Sequence, residues 1–138
     1  MPLVVDASVA LAWALPDEIS AYADGVLAVA ERDGLRVPDL WVREIANGLA
    51  MAHLRKRMDA SDQKLFLEAL SLLRIDVERN SSTITAIQEG TAAAIRYGLT
   101  AYDAAYVALA EREKLTLATL DTAMVKAAQS SGVSIFVP

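Results

Sequence analysis

Short apolar runs alternate with longer alanine-rich stretches along almost the whole chain, and that alternation limits the possible folds more than any other feature. The runs fall at about residues 2–6, 35–38, 75–78, 115–119 and 133–137, and Leu3-Val4-Val5 is the first of them. They are short, β-branched and largely apolar, as strands buried on both faces are. Between them lie predicted helices near residues 8–15, 18–32, 39–57, 61–74, 81–97, 101–113 and 121–131. Apolar residues there recur at helical spacing, as in Trp41, Ile45, Leu49 and Ala52. Ser61 and Thr100 read as helix N-caps, and Gly34, Gly98 and Gly132 fall where helices should stop. Strands alternating with helices give a parallel sheet covered on both faces. The expectation is an α/β fold over residues 1–138, a single three-layer domain whose central parallel sheet has about five short strands.

At 138 residues and 54% hydrophobic, the chain has ample material for one core. No apolar run approaches the roughly 20 residues needed to span a bilayer. The N-terminus carries Asp6 early and has no basic region, so it reads poorly as a signal peptide. Having no cysteine, the chain forms no disulfide and no thiolate metal site, which fits a cytoplasmic protein. The net charge of −5 argues only superficially against a nucleic-acid substrate, because four acids are claimed by the site described next. It favours a basic protein partner.

Asp6 ends the first apolar run, and Asp121 follows the run Leu115-Thr116-Leu117-Ala118-Thr119. Asp103 falls in the first turn of a helix, and Glu44 near the start of another. Open α/β sheets bind ligands outside the carboxyl ends of their strands, where this topology would gather these acids. Two unit charges 4 Å apart repel by roughly 4 kcal/mol at an effective dielectric near 20. Four such carboxylates must protonate in part or hold cations. With no cysteine and one histidine, the hard oxygen donors point to Mg²⁺ or Mn²⁺ and not to zinc. Each acid also has a plainer role open to it. Asp6 suits a helix N-cap, Asp103 and Asp121 suit first-turn acids, and Glu44 suits a solvated helix face.

Val4-Val5-Asp6-Ala7-Ser8-Val9 resembles the opening motif of PIN-domain nucleases, and Glu44-Ile45-Ala46-Asn47 resembles the second. The stretch from Leu99 to Ala110, with Thr100-Ala101-Tyr102-Asp103-Ala104 near its start, is similar to the third and most specific motif. Thr119-Leu120-Asp121 resembles the fourth. The matches run in family order from residue 4 to residue 121. Compact size and the segment Pro16-Asp17-Glu18 are similar to VapC-type toxins of toxin–antitoxin pairs. The resemblance implies a Mg²⁺- or Mn²⁺-dependent endoribonuclease, homodimeric and inhibited by a cognate antitoxin protein. It makes Asp6, Glu44, Asp103 and Asp121 the catalytic, metal-binding carboxylates, with Ser8, Asn47 and Thr119 in support. Ser8 and Thr119 are equally readable as caps. Phosphodiester hydrolysis needs an activated water and charge neutralisation, both of which a divalent ion supplies.

His53-Leu54-Arg55-Lys56-Arg57 is the densest basic run. Arg55, Lys56 and Arg57 would hold RNA phosphates if they face the site, or would only terminate a helix whose C-terminal end favours positive charge. Trp13 and Trp41 suit packing better than base stacking, since both lie in apolar helical stretches. Three other classes compete. A phosphoacceptor receiver needs a second acid beside Asp6 and a Lys after its last strand, whereas Lys126 falls inside the last predicted helix. A haloacid-dehalogenase-type phosphatase needs Asp-x-Asp, and Ser8 stands at its second position. A catalytically silent binding module need not keep four acids. DNA cleavage remains open, because nothing in the motifs reads a 2′-hydroxyl.

Overall fold

The structure is a computed structural model that describes residues 1–79 and 82–138. The elements run β1 (Leu3–Val5), α1 (Ala7–Ala12), α2 (Ala21–Asp33), β2 (Leu35–Val37), α3 (Leu40–Leu54) and α4 (Ala60–Ser71). They continue with β3 (Ile75–Val77), α5 (Thr83–Tyr97), α6 (Ala101–Glu113), β4 (Leu117–Ala118) and α7 (Thr122–Ser130). Ser81, the first residue of the predicted helix 81–97, lies outside the described residues.

The strands form a sheet in the order β3-β2-β1-β4, and every pairing is parallel. Leu3 stands opposite Leu35, and Val4 opposite Leu117. Val4, Val5, Leu35, Val37, Leu117 and Ala118 are fully buried, as expected of strands covered on both faces. The edge strand β3 is different, because Asp76 in its middle is exposed. The expected fifth strand at 133–137 does not form. Ile135 makes a single parallel bridge to Leu117, with Leu117 N–H donating to Ser134 O and Phe136 N–H to Leu117 O, each at 2.9 Å. β4 is only two residues long, so the ladder ends there.

From β1 the chain steps outward to β2 and β3, then returns to place β4 on the other side of β1. That reversal creates a topological switch point at the carboxyl ends of β1 and β4, where open α/β sheets form their binding crevice. Asp6 follows β1, and Thr119 to Asp121 follow β4.

Two glycines fix how helices meet this sheet. Gly34 ends α2 at φ +83°, and a Cβ there would lie 2.8 Å from the Arg74 carbonyl oxygen. Gly48 lets α3 approach α1, since a Cβ would lie 2.3 Å from Leu11 Cδ1. Helices α1, α2, α4, α6 and α7 each start on a side-chain cap, with one correction. The cap of α4 is Asp59 and not Ser61. Asp59 Oδ1 accepts from Asp62 N–H at 2.8 Å, and Asp62 Oδ2 accepts from Asp59 N–H at 3.0 Å. This reciprocal box satisfies two free amides where Ser61 would satisfy one. On the far side, α5 is tied to α6 by Arg96 and Tyr97, both of which donate to Glu111.

Candidate active site

Asp6 is the N-cap of α1 and is 8% exposed. Its Oδ2 accepts from Ser8 Oγ and from Thr119 Oγ1, each at 3.0 Å, and its Oδ1 accepts from Ser8 N–H at 3.4 Å. Thr119 is 2% exposed and links two acids. While its hydroxyl donates to Asp6, it accepts from the Asp121 N–H at 3.1 Å. Asp121 caps α7 by accepting from Met124 N–H at 2.9 Å. The cap reading and the site reading of Asp6 and Asp121 are therefore compatible. Thr100 caps α6 through the Asp103 N–H at 3.1 Å, which sets Asp103 on the first turn.

Glu44 projects from α3 and takes a 2.7 Å hydrogen bond from the hydroxyl of Tyr106. Tyr106 is fully buried, and both burial and the Glu44 carboxylate push its pKa far above the ordinary tyrosine value. Burial raises the pKa of Glu44, with Asp6 and Asp103 adding to the rise and the Tyr106 hydrogen bond opposing it. Burial also raises that of Asp103, helped by the charges of Asp121 and Asp6. The four carboxylates thus act on one another electrostatically.

All four line one crevice of about 920 Å³, together with Ser8, Asn47 and Arg43. Thr119 sits behind the acids instead of lining it. The basic run lies elsewhere. Lys56 and Arg57 border a separate surface cavity beside Asp59 and Asp62. Arg57 pairs with Asp17 at 3.1 Å and with Glu18 at 3.6 Å. Arg55 is the C-cap of α3, and Lys56 follows it in the left-handed conformation. His53 also borders that second cavity, away from the acids. Trp41 is buried, and Trp13 Nε1 donates to Ala23 O at 2.8 Å, so neither offers a free ring face to the crevice.

Two residues at the site carry no role in the motif reading. Tyr106 is three residues beyond Asp103, on an adjoining helix face, and a buried tyrosine hydroxyl needs a partner. That signal asks for an acceptor and does not name Glu44. Arg43 shares the face of Leu40, Glu44 and Asn47 at helical spacing, a pattern visible once α3 is placed.

In donor type and number the four carboxylates suit a hard divalent ion. Among the described residues, however, no three His, Cys, Asp or Glu side chains stand close enough to hold an ion between them. Like charges facing one crevice keep apart, and Glu44 is drawn toward Tyr106. Closing on an ion therefore requires side-chain movement.

A parallel sheet with four acids at its switch point fits a PIN fold, and the chain belongs to the PIN-domain family, whose model matches residues 3–129. Its relatives narrow the assignment. It is 37% identical over 129 residues to Ribonuclease VapC3 of Pyrobaculum aerophilum, covering 88% of this chain and 90% of that one. It is also 37% identical over 136 residues to Ribonuclease VapC9 of Mycobacterium tuberculosis, covering 99% and 98%. Within the family it is of the VapC type. Among solved structures, PAE2754 of Pyrobaculum aerophilum matches with a TM-score of 0.69 at 27% identity, covering 94% of this chain and 87% of that one. FitAcB of Neisseria gonorrhoeae shares the fold, with a TM-score of 0.63 at 19% identity and coverage of 98% and 96%.

Proposed function

We propose that the chain is a Mg²⁺- or Mn²⁺-dependent endoribonuclease, the toxin of a toxin–antitoxin pair. The observation that carries this reading is the lining of one crevice by Asp6, Glu44, Asp103 and Asp121 at the switch point of the sheet. Relatives at 37% identity over nearly the whole chain are named ribonucleases, which supports RNA as the polymer. A bound divalent ion would supply an activated water and neutralise charge on the scissile phosphate.

The chain's own residues prepare that site. Ser8 and Thr119 fix the Asp6 carboxylate by three hydrogen bonds, so one ligand is held in place before loading. Tyr106 holds Glu44 and favours its ionised form, the form that binds a cation. Asp103 and Asp121 complete the ring of charge. Burial, with the neighbouring acids adding to it, raises Glu44 and Asp103, and a bound divalent ion would favour their ionised forms.

An uncompensated acidic crevice also suits a basic inhibitor, and a cognate antitoxin that inserts Arg or Lys there would compete with the metal. A homodimer is part of the same reading. Helix α5 buries none of its residues and leaves Ile84, Ile87 and Ile95 at least 60% exposed, an apolar surface suited to a second copy.

The test is cleavage of RNA by rigorously purified protein. EDTA should abolish cleavage, and Mg²⁺ or Mn²⁺ should restore it. Asp103→Asn should lower the rate by at least about a hundredfold, the scale of a lost electrostatic contact in a site. Undiminished cleavage in excess chelator refutes the mechanism.

A further inference from the structure

Among the described residues, Arg43 is the only Lys, Arg or His that lines the acidic crevice, and it is exposed there. Its side chain forms no ion pair and no hydrogen bond with any described residue, although four carboxylates share its crevice. Arg32, Arg36, Arg57, Arg96 and Arg112 each pair with an acid, while Arg55, Arg74 and Arg79 form no ion pair with a described residue but do not line this crevice. A cation that stays unpaired beside so much negative charge keeps its fork of donors available for another anion.

A second helix at the crevice carries a matching feature. Tyr102 lines the same crevice, is 68% exposed and immediately precedes Asp103, as Arg43 immediately precedes Glu44. Its hydroxyl has no hydrogen-bond partner among the described residues, so the polar end of the ring is open to a ligand. On each of these two helices, then, a site acid is flanked by an exposed side chain able to touch a nucleotide. Guanidinium groups take phosphate oxygens bidentately, and aromatic rings stack on bases without regard to sequence.

We infer that Arg43 and Tyr102 form a two-sided clamp for the substrate, Arg43 holding a phosphate next to the scissile one and Tyr102 stacking on the adjoining base. This rests on the ribonuclease reading and assigns its substrate contacts. The clamp places nucleic-acid affinity inside the crevice and not on the basic run, whose Arg57 is already engaged by Asp17 and Glu18. Both are positioning residues, which orient the strand so that the phosphodiester meets the acids.

The experiment measures binding, independently of turnover. A fluorescein-labelled single-stranded RNA is titrated in Ca²⁺ at several salt concentrations with wild-type protein, Arg43→Ala, Arg43→Lys, Tyr102→Ala and Tyr102→Phe. A second set of RNAs carries one abasic nucleotide at successive positions. Arg43→Ala should weaken binding about tenfold and reduce the salt slope by about one, with Arg43→Lys recovering the slope but only part of the affinity. Tyr102→Ala should weaken binding on the order of tenfold, while Tyr102→Phe binds as wild type. One abasic position should weaken wild-type binding and leave Tyr102→Ala binding unchanged. Both sites are solvent-exposed, so unfolding temperatures should match that of wild type. If the wild-type protein cleaves RNA while Arg43→Ala keeps its salt slope and Tyr102→Ala its abasic penalty, the clamp is overturned alone. If the wild-type protein neither binds nor cleaves RNA, the proposed function falls with it.

Discussion

Replacing Tyr106 with Phe removes one oxygen and leaves the packing of a fully buried ring intact. That oxygen donates a 2.7 Å hydrogen bond to Glu44 Oε1. A hydrogen bond to a charged group contributes about 1.5–3 kcal/mol. Glu44 is only partly buried, so water can replace the lost donor in part, which places the cost at about 1–2 kcal/mol. For a chain of this size that is a fall in Tm of roughly 3–8 °C, measured by circular dichroism at neutral pH. A second readout comes from ionisation. Burial already raises the pKa of Glu44, and the Tyr106 hydrogen bond opposes the rise. Without it the carboxyl holds its proton to higher pH, and the acid limb of the activity profile should move upward. Tyr97→Phe is a control, because its hydroxyl meets Glu111 near the surface, and it should leave that limb where it is. A Tyr106→Phe variant with both Tm and acid limb at wild-type values would refute this account of Glu44.

Three further outcomes follow from the same structure. Glu44 and Asp103 have raised pKa values in the folded chain, so their contribution to stability is fully present below their unfolded values and lost as pH rises through the folded ones. Metal-free protein should therefore gain stability in urea titrations as pH falls from neutral toward the upper carboxylate range, and Mg²⁺ should flatten the trend; steady loss of stability over that interval would contradict it. Gly34→Ala combines a left-handed backbone with a Cβ 2.8 Å from the Arg74 carbonyl, and should cost about 2–4 kcal/mol in urea unfolding. Arg57→Ala removes an exposed pair with Asp17, so it should leave the urea midpoint close to that of wild type and the rate of RNA cleavage within about twofold.

The sequence revealed what repeats or punctuates and missed what depends on a partner distant in the chain. Leu3-Val4-Val5 and Leu35 to Val37 are apolar enough to be recognised as buried strands without knowing their neighbours. Gly34, Gly98 and Gly132 stop helices at positive φ, as their type suggests. Lys56 and Lys114 also adopt positive φ, and nothing in a lysine announces it. The run 133–137 is as apolar as a strand, yet its pairing depends on how far β4 extends beside it. At the site, the acids could be placed because each follows a strand or opens a helix. The Tyr106–Glu44 bond could not, because it joins residues 62 positions apart. The pairing of Arg57 was hidden for the same reason, since Asp17, which engages it, lies 40 positions earlier, in the segment after α1.

The coincidence of cap and site has a consequence for how the acids must be tested. Asp6 and Asp121 each accept a backbone N–H at the start of a helix, and each borders the crevice. Replacing either with Ala removes the charge and the cap together, and loss of a cap alone costs about 0.5–2 kcal/mol. Lost activity in such a variant would not distinguish a missing ligand from a shifted α1 or α7. Asn caps as well as Asp and lacks the charge. Asp6→Asn should therefore fold with near-native stability and lose cleavage, while Asp6→Ala should lose both. Thr119 sharpens the distinction, because its hydroxyl donates to Asp6 while accepting from the Asp121 amide. Thr119→Val keeps the shape, deletes that link and leaves all four acids in place. If the link orders the site, this variant should bind metal more weakly by calorimetry without losing a ligand. Metal affinity equal to wild type would mean that the caps alone position the two aspartates.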